Sequence, residues 1–198
     1  YEVLWPDALD LYRYTGGGEL LLNGEIYTRK GNEFWSGNTK LKDELKKASW
    51  SQKKGLVDEI LSSNRFLNDP VYFPYFKLMD EKEIQRLSKS PYATVGSHGL
   101  YHNCLDRVSV TDCQKELEIS KNYLENITQQ EITSLAYPDG SYTQEIIDLA
   151  EKVGYKKQLS VDQLFPEDSQ DYRIENRFGV NPYISFNNQM ECIINGQY

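Results

Sequence analysis

An α/β fold, with parallel strands connected through helices, is what the second part of this sequence predicts. Three observations carry that expectation. Beyond Leu78, short apolar segments alternate with amphipathic helical patterns across short connections. Glycine or proline follows two of the strand-like segments at once, in Val95-Gly96 and in Tyr137-Pro138-Asp139-Gly140. A chain of 198 residues supports one sizeable core and only marginally two, so a single domain is expected.

Taken in order, residues 5–14 (WPDALDLYRY) place Pro6 in a first helical turn, with Leu4, Ala8, Leu11 and Tyr12 at helical spacing. That predicts a short helix. In GGELLLNGEIYTRKG, Asn23-Gly24 joins two strand-favouring runs and predicts a β-hairpin. Residues 41–48 and 51–63 are charged, amphipathic and free of proline, which predicts one or two surface helices. Asp80 and Glu83 form an acidic capping box for a helix that turns Ile84 and Leu87 inward. Residues 92–95 predict a strand ending at Gly96. Thr111, paired with Gln114, is expected to cap a helix over 111–124 with Cys113, Leu117, Ser120 and Leu124 along one stripe. A buried strand over 132–137 precedes a helix over 144–153 that buries Ile146, Ile147, Leu149, Ala150 and Val153 and stops at Gly154. A strand over 155–161 follows, and SFNNQMECIING predicts a final helix from Ser185 with Gly196 past its end.

Lysine and arginine number 22 against 30 acidic residues, a net charge of -8. A broad attraction to nucleic acid or to an anionic membrane is therefore not expected, and a neutral or polar substrate fits better. No apolar run approaches the roughly 20 residues of a spanning helix. The start, YEVLWPDALD, lacks the basic and apolar regions of a signal peptide, so the chain reads as soluble and cytoplasmic. Cys104, Cys113 and Cys192 are too irregularly spaced for a disulfide framework or a CxxC zinc site and are expected as buried or half-buried free thiols.

The chemistry concentrates in Gly96-Ser97-His98-Gly99-Leu100-Tyr101-His102, which holds both histidines of the chain, four positions apart after a predicted strand. In a turn or helix such residues share a face, with β-carbons about 5–6 Å apart. Two imidazole nitrogens can then converge on one divalent cation. The same spacing also suits two ordinary imidazoles near a turn. A third ligand would come from Asp106 or Asp139, although Asp106 has a plainer role pairing with Arg107 or facing water, and Asp139 in stabilising its turn.

Read together, TVGSHGLYHNCLDRVSVTDCQKELEISKNYLENI and SLAYPDGSYTQEIIDLAEKVGYKKQLSV resemble the polysaccharide deacetylase family, carbohydrate esterase family four. His98 and His102 match the histidines of its HSxxH or HTxxH motif, with Gly99 in the Ser/Thr position and Leu105 as the apolar residue that follows. Ala136-Tyr137-Pro138-Asp139-Gly140-Ser141-Tyr142 is similar to the family's YPYG-type third motif. The likeness spans residues 79–161, with a weaker echo in ENRFGVNP.

The resemblance implies an incomplete, distorted (β/α) barrel in one domain: residues 1–70 as an insertion of helix and hairpin, and 71–198 as the barrel portion. It also implies a divalent metal, zinc in many members, that polarises an N-acetyl carbonyl and activates water. His98 and His102 would be two ligands, and the Asp139 backbone N–H an oxyanion donor. Pro138 would stand at the substrate, and Tyr137 and Tyr142 would border the sugar or pack beside the strand and helix. The implied function is metal-dependent removal of N-acetyl groups from a carbohydrate, with a non-catalytic carbohydrate-binding or assembly module as the alternative. Three departures stand against full activity. No Asp-Asp pair occurs, so the family's first motif, with its base and third metal ligand, is missing and the chain is expected to begin downstream of it. The third motif lacks its arginine, and no histidine follows His102 to act as general acid. An incomplete barrel also leaves a strand edge open, which predicts homo-oligomerisation.

Overall fold

Two apolar cores organise the chain, each built by a different run of sequence. The computed structural model describes residues 3–63, 77–180 and 184–196. The domain boundary expected at residue 70 lies outside them. The first core gathers α1 (Trp5–Tyr14), four strands β1 (Glu19–Leu22), β2 (Glu25–Lys30), β3 (Glu33–Ser36) and β4 (Thr39–Lys40), and helices α2 (Leu41–Leu45) and α3 (Trp50–Ser63). The strands form an antiparallel sheet in sequence order, so the expected hairpin is the first half of a four-stranded meander. Its turn is as predicted: Asn23 and Gly24 carry φ of 55° and 83°, the paired positive values of a type I′ turn, and Leu22 pairs with Glu25 across it. Alternation then buries Leu20 and Leu22 and exposes Leu21.

The helices α2 and α3 are less superficial than their charge suggested. Leu41, Leu45, Leu56, Val57 and Ile60 all bury against Trp5, Ala8 and Leu11 of α1. The inward stripe of α3 begins with a lysine: Lys53 is fully buried, one turn before Leu56 and Val57.

The second core lies beneath a parallel sheet of three strands, β5 (Ser134–Ala136), β6 (Lys157–Ser160) and β7 (Ile174–Asn176), in that order. Helices α5 (Val110–Thr128) and α6 (Gln144–Val153) cover it, and α4 (Glu81–Ser88) packs on α5. Cys113 and Leu117 from α5 and Ile146, Ile147 and Ala150 from α6 meet Leu135, Tyr155 and Ile174. The α6 boundaries fall where expected: the Thr143 side chain accepts from the Ile146 N–H, and Gly154 takes φ 107° past the end. The final helix α7 (Phe186–Asn195) likewise has Ser185 and Gly196 at its two caps.

Several expectations are corrected. Residues 92–95 form no strand, because Pro91 and a turn at Ser90 hold them out, and Tyr92 is 97% exposed. Only Ser97 pairs, as an isolated parallel bridge to Leu135. The cap of α5 is Ser109, whose hydroxyl accepts from the Asp112 N–H at 3.1 Å, two residues before the expected Thr111. Leu87 faces solvent rather than the core. Strand β7 was not foreseen, since three residues, Ile-Glu-Asn, are too few to show a period. Among the described residues the strands close no barrel, in keeping with the incomplete barrel expected. The three cysteines are free, with Cys104 and Cys113 buried.

Candidate functional site

Ser97 is where the sheet delivers the histidines. Its N–H donates to the Ser134 carbonyl at 2.9 Å and its carbonyl accepts from the Ala136 N–H at 2.8 Å, so the segment runs parallel to β5 for one step. The buried Ser97 hydroxyl donates to Ser120 of α5 at 3.0 Å and accepts from the Gly99 N–H at 3.2 Å. His98 thus emerges beside the carboxyl end of β5, the edge where α/β folds assemble their sites. Gly99 has φ 77° and permits the immediate turn away. His102 takes φ 53° without being glycine, a conformation that must be held by its surroundings.

The two imidazoles stand edge to face, 4.9 Å between centroids at 80°. Nδ1 of His98 lies 2.6 Å from the Ala136 carbonyl oxygen. A carbonyl only accepts, so Nδ1 carries the proton and Nε2 keeps its lone pair. Burial pushes His98 below the ordinary imidazole value, with the Ala136 contact opposing in part. Burial does the same to His102, opposed by the negative charge of Asp139. Both rings are therefore neutral around pH 7, the form a metal requires.

Asp139 follows β5 in a turn at Pro138–Gly140, with φ 54°. Its Oδ2 takes an ion pair from Lys46 Nζ at 2.8 Å and the Cys104 thiol at 3.6 Å. Burial alone would raise this carboxyl, but Lys46, helped by the Cys104 thiol and His102, holds Asp139 below its usual value. Burial first, then the adjacent carboxylate, keep the Cys104 thiol raised and protonated. Arg177 completes the surround: it donates to the Tyr137 carbonyl at 3.1 Å, and its charge acts on both histidines and Asp139.

The predicted site residues divide. The structure brings His98, His102 and Asp139 together. Asp106 accepts from the Ser141 hydroxyl and lies 4.0 Å from Arg107, its plainer role. Tyr137 and Tyr142 are corrected as sugar-bordering residues: they are 0% and 1% exposed, stacked on each other at 5.2 Å within the second core. Pro138 is buried with them. Sequence reading missed Trp5, Lys46, Lys53, Asn103 and Arg177. A lysine at an apolar-stripe position of α3 was the one available signal.

As a metal centre the donor set is partial. Two neutral imidazoles, one oriented by a backbone carbonyl, fit two ligand positions of a divalent cation. Among the described residues, no group of three His, Cys, Asp or Glu side chains is placed to hold one.

A family model described as polysaccharide deacetylase matches residues 45–157, more than half of the chain. The chain belongs to the polysaccharide deacetylase family. The matched region runs from the end of α2 to β6 and includes both histidines, Lys46, Lys53 and the turn at Asp139. Over 92 residues the chain is 28% identical to YxkH of Bacillus subtilis strain 168, whose name assigns it to the polysaccharide deacetylases. That match takes in 46% of this chain and 33% of YxkH, so the chain spans about a third of the length of this curated relative. Among solved structures, the Streptococcus pyogenes deacetylase PplD in complex with acetate aligns with a TM-score of 0.50 at 18% identity, over 69% of this chain and 63% of that one. A polysaccharide deacetylase from Bacillus cereus aligns with a TM-score of 0.49 at 17% identity, over 72% and 48% of the two chains. The PplD likeness supports the polysaccharide deacetylase fold.

Proposed function

We propose that this chain carries the histidine pair of a metal-dependent carbohydrate N-deacetylase, which hydrolyses the amide of an N-acetylated sugar. The observation that carries the reading is the His98 contact to Ala136. It fixes the tautomer that presents Nε2, and the ring stands edge to face with His102, both half-buried, at a strand end. A bound zinc-type cation would polarise the acetyl carbonyl and lower the pKa of its water. The Asp139 backbone N–H, in the turn beside the pair, is the proposed donor to the developing oxyanion. Lys46 keeps the Asp139 carboxylate charged, and Arg177 adds positive charge where negative charge would develop.

Water activation lacks a base in this sequence, which has no Asp-Asp pair. Loss of general-base catalysis costs about 10²- to 10⁴-fold, so slow acetate release is expected. The test is calorimetric titration of Zn(II) into the chain and into His98→Ala and His102→Ala, alongside acetate release from N-acetylated oligosaccharides. One equivalent bound by the parent chain and lost in both variants supports the reading. No uptake, or oligosaccharide binding undiminished in both variants without any acetate release, overturns it in favour of a carbohydrate-binding module.

A further inference from the structure

Three consecutive residues at the end of the histidine segment are each gripped by the first core. Tyr101 stacks on Trp50 of α3, 4.1 Å between centroids at 13°. The His102 carbonyl accepts from the indole N–H of Trp5 in α1 at 3.3 Å, and the His102 ring meets the Trp5 ring edge-on at 6.3 Å. The Asn103 carboxamide oxygen accepts from the buried ammonium of Lys53. Asn103 passes the interaction on, its amide donating to Oε1 of Glu116 in α5. Lys53 Nζ also lies 5.5 Å over the Trp5 ring, so the contacts form one connected cluster.

Burying a lysine and a glutamate costs several kcal/mol per ion even when they are paired, and a hydrophobic replacement is often neutral or better for stability. Stability therefore does not account for a lysine in the apolar stripe of α3. The cluster also leaves Glu116 Oε2 buried without a partner among the described residues. What it encloses is a non-glycine residue at positive φ, His102. His98 is fixed by its own sheet through Ala136. Among the described residues, the His102 ring has no comparable hydrogen bond to the second core.

We infer that Trp5 and Lys53 are positioning residues for His102: the first core holds the backbone on both sides of this imidazole and sets its approach to the His98 ring. The inference rests on the reading of the pair as metal ligands. Groups behind a ligand commonly affect metal affinity by about 10- to 100-fold. The first core is on this view part of the active site.

The test compares the parent chain with Trp5→Phe, which keeps an aromatic ring but removes the N–H, and with Lys53→Met. Lys53→Met/Glu116→Gln removes both buried charges and guards against a Lys53 variant that fails to fold. Trp35→Phe, on β3 and outside the cluster, is the control. Calorimetric titration with Co(II) is expected to show affinity reduced about 10- to 100-fold in Trp5→Phe and the Lys53 variants, and unchanged in Trp35→Phe. Unchanged affinity in folded Trp5→Phe and in the double variant overturns the inference. If the parent takes up no Co(II), the metal reading fails, and imidazole NMR signals of the metal-free proteins decide positioning separately. With only two histidines present, both rings are assignable. His102 signals that move in Trp5→Phe while those of His98 stay support the inference, and His102 signals that do not move sink it.

Discussion

Nδ1 of His98 has a fixed partner, whereas two other buried groups, Cys113 and Lys53, reveal themselves through proton linkage in opposite directions. Burial pushes the Cys113 thiol up to about 12 from 9.0. Between those values the folded thiol keeps a proton that the unfolded thiol loses, so its contribution to stability is whole below pH 9 and is lost as the pH rises toward 12. Burial pushes the Lys53 ammonium down to about 8 from 10.5. Here the unfolded chain holds the extra proton, and stability rises across that interval. Each slope is at most about 1.4 kcal/mol per pH unit. Urea unfolding at pH 7, 8.5, 9.5 and 10.5 should therefore show a steeper alkaline loss for Lys53→Met than for the parent, and a shallower one for Cys113→Ala. Parallel curves for all three proteins would refute both assignments. At pH 8, Cys113 should also resist alkylation in the native state and react promptly once the chain unfolds.

The turn at Pro138–Gly140 makes the point at the level of an element. Gly140 has φ 68°, and an added Cβ would stand 2.9 Å from the Val161 side chain and 3.0 Å from its backbone nitrogen. Gly140→Ala combines backbone strain with a clash against main chain, and is expected to destabilise by about 2–4 kcal/mol and to displace Asp139 from Lys46. Gly154→Ala, at φ 107° but facing the far end of Lys121, should cost about 1–2 kcal/mol and leave the site intact. Thermal unfolding together with Zn(II) affinity separates them: only Gly140→Ala should lose both. Both glycines were readable in sequence, as were the Asn23-Gly24 turn and the start of the final helix at Ser185, because local backbone chemistry dictates them. The histidine pair was readable as a fixed spacing, although the strand expected ahead of it is reduced to a single bridge at Ser97. Partners distant in sequence were not. Trp5 reaches His102 across 97 residues and Lys53 reaches Asn103 across 50, and no local pattern records such a meeting. The misplaced strand at 92–95 failed for a related reason, since apolar content there was overridden by the turn after Ser90.

Across the whole molecule, the pair sits in the second core's segment while its supports come from the first, so ligand binding should be felt by both. All three tryptophans, Trp5, Trp35 and Trp50, belong to the first core's run of sequence, and Cys113 is buried in the second. Tryptophan fluorescence and Cys113 labelling therefore report separate halves of one unfolding reaction. A metal that binds only the folded chain adds about 2.7 kcal/mol at a hundred times its dissociation constant. For a chain of this size that corresponds to a rise of about 5–10 °C in Tm. Because Trp5, Trp50, Lys46 and Lys53 all contact the site segments, both probes should shift together by that amount with Zn(II), and neither should shift in His98→Ala. The coupling runs through the contacts at residues 101–103, so in Lys53→Met/Glu116→Gln the fluorescence transition should fall behind the labelling transition. A Zn(II)-induced shift in Cys113 protection with no change in the tryptophan transition of the parent would mean that the two cores unfold independently, and that the grip of the first core on His102 carries no free energy.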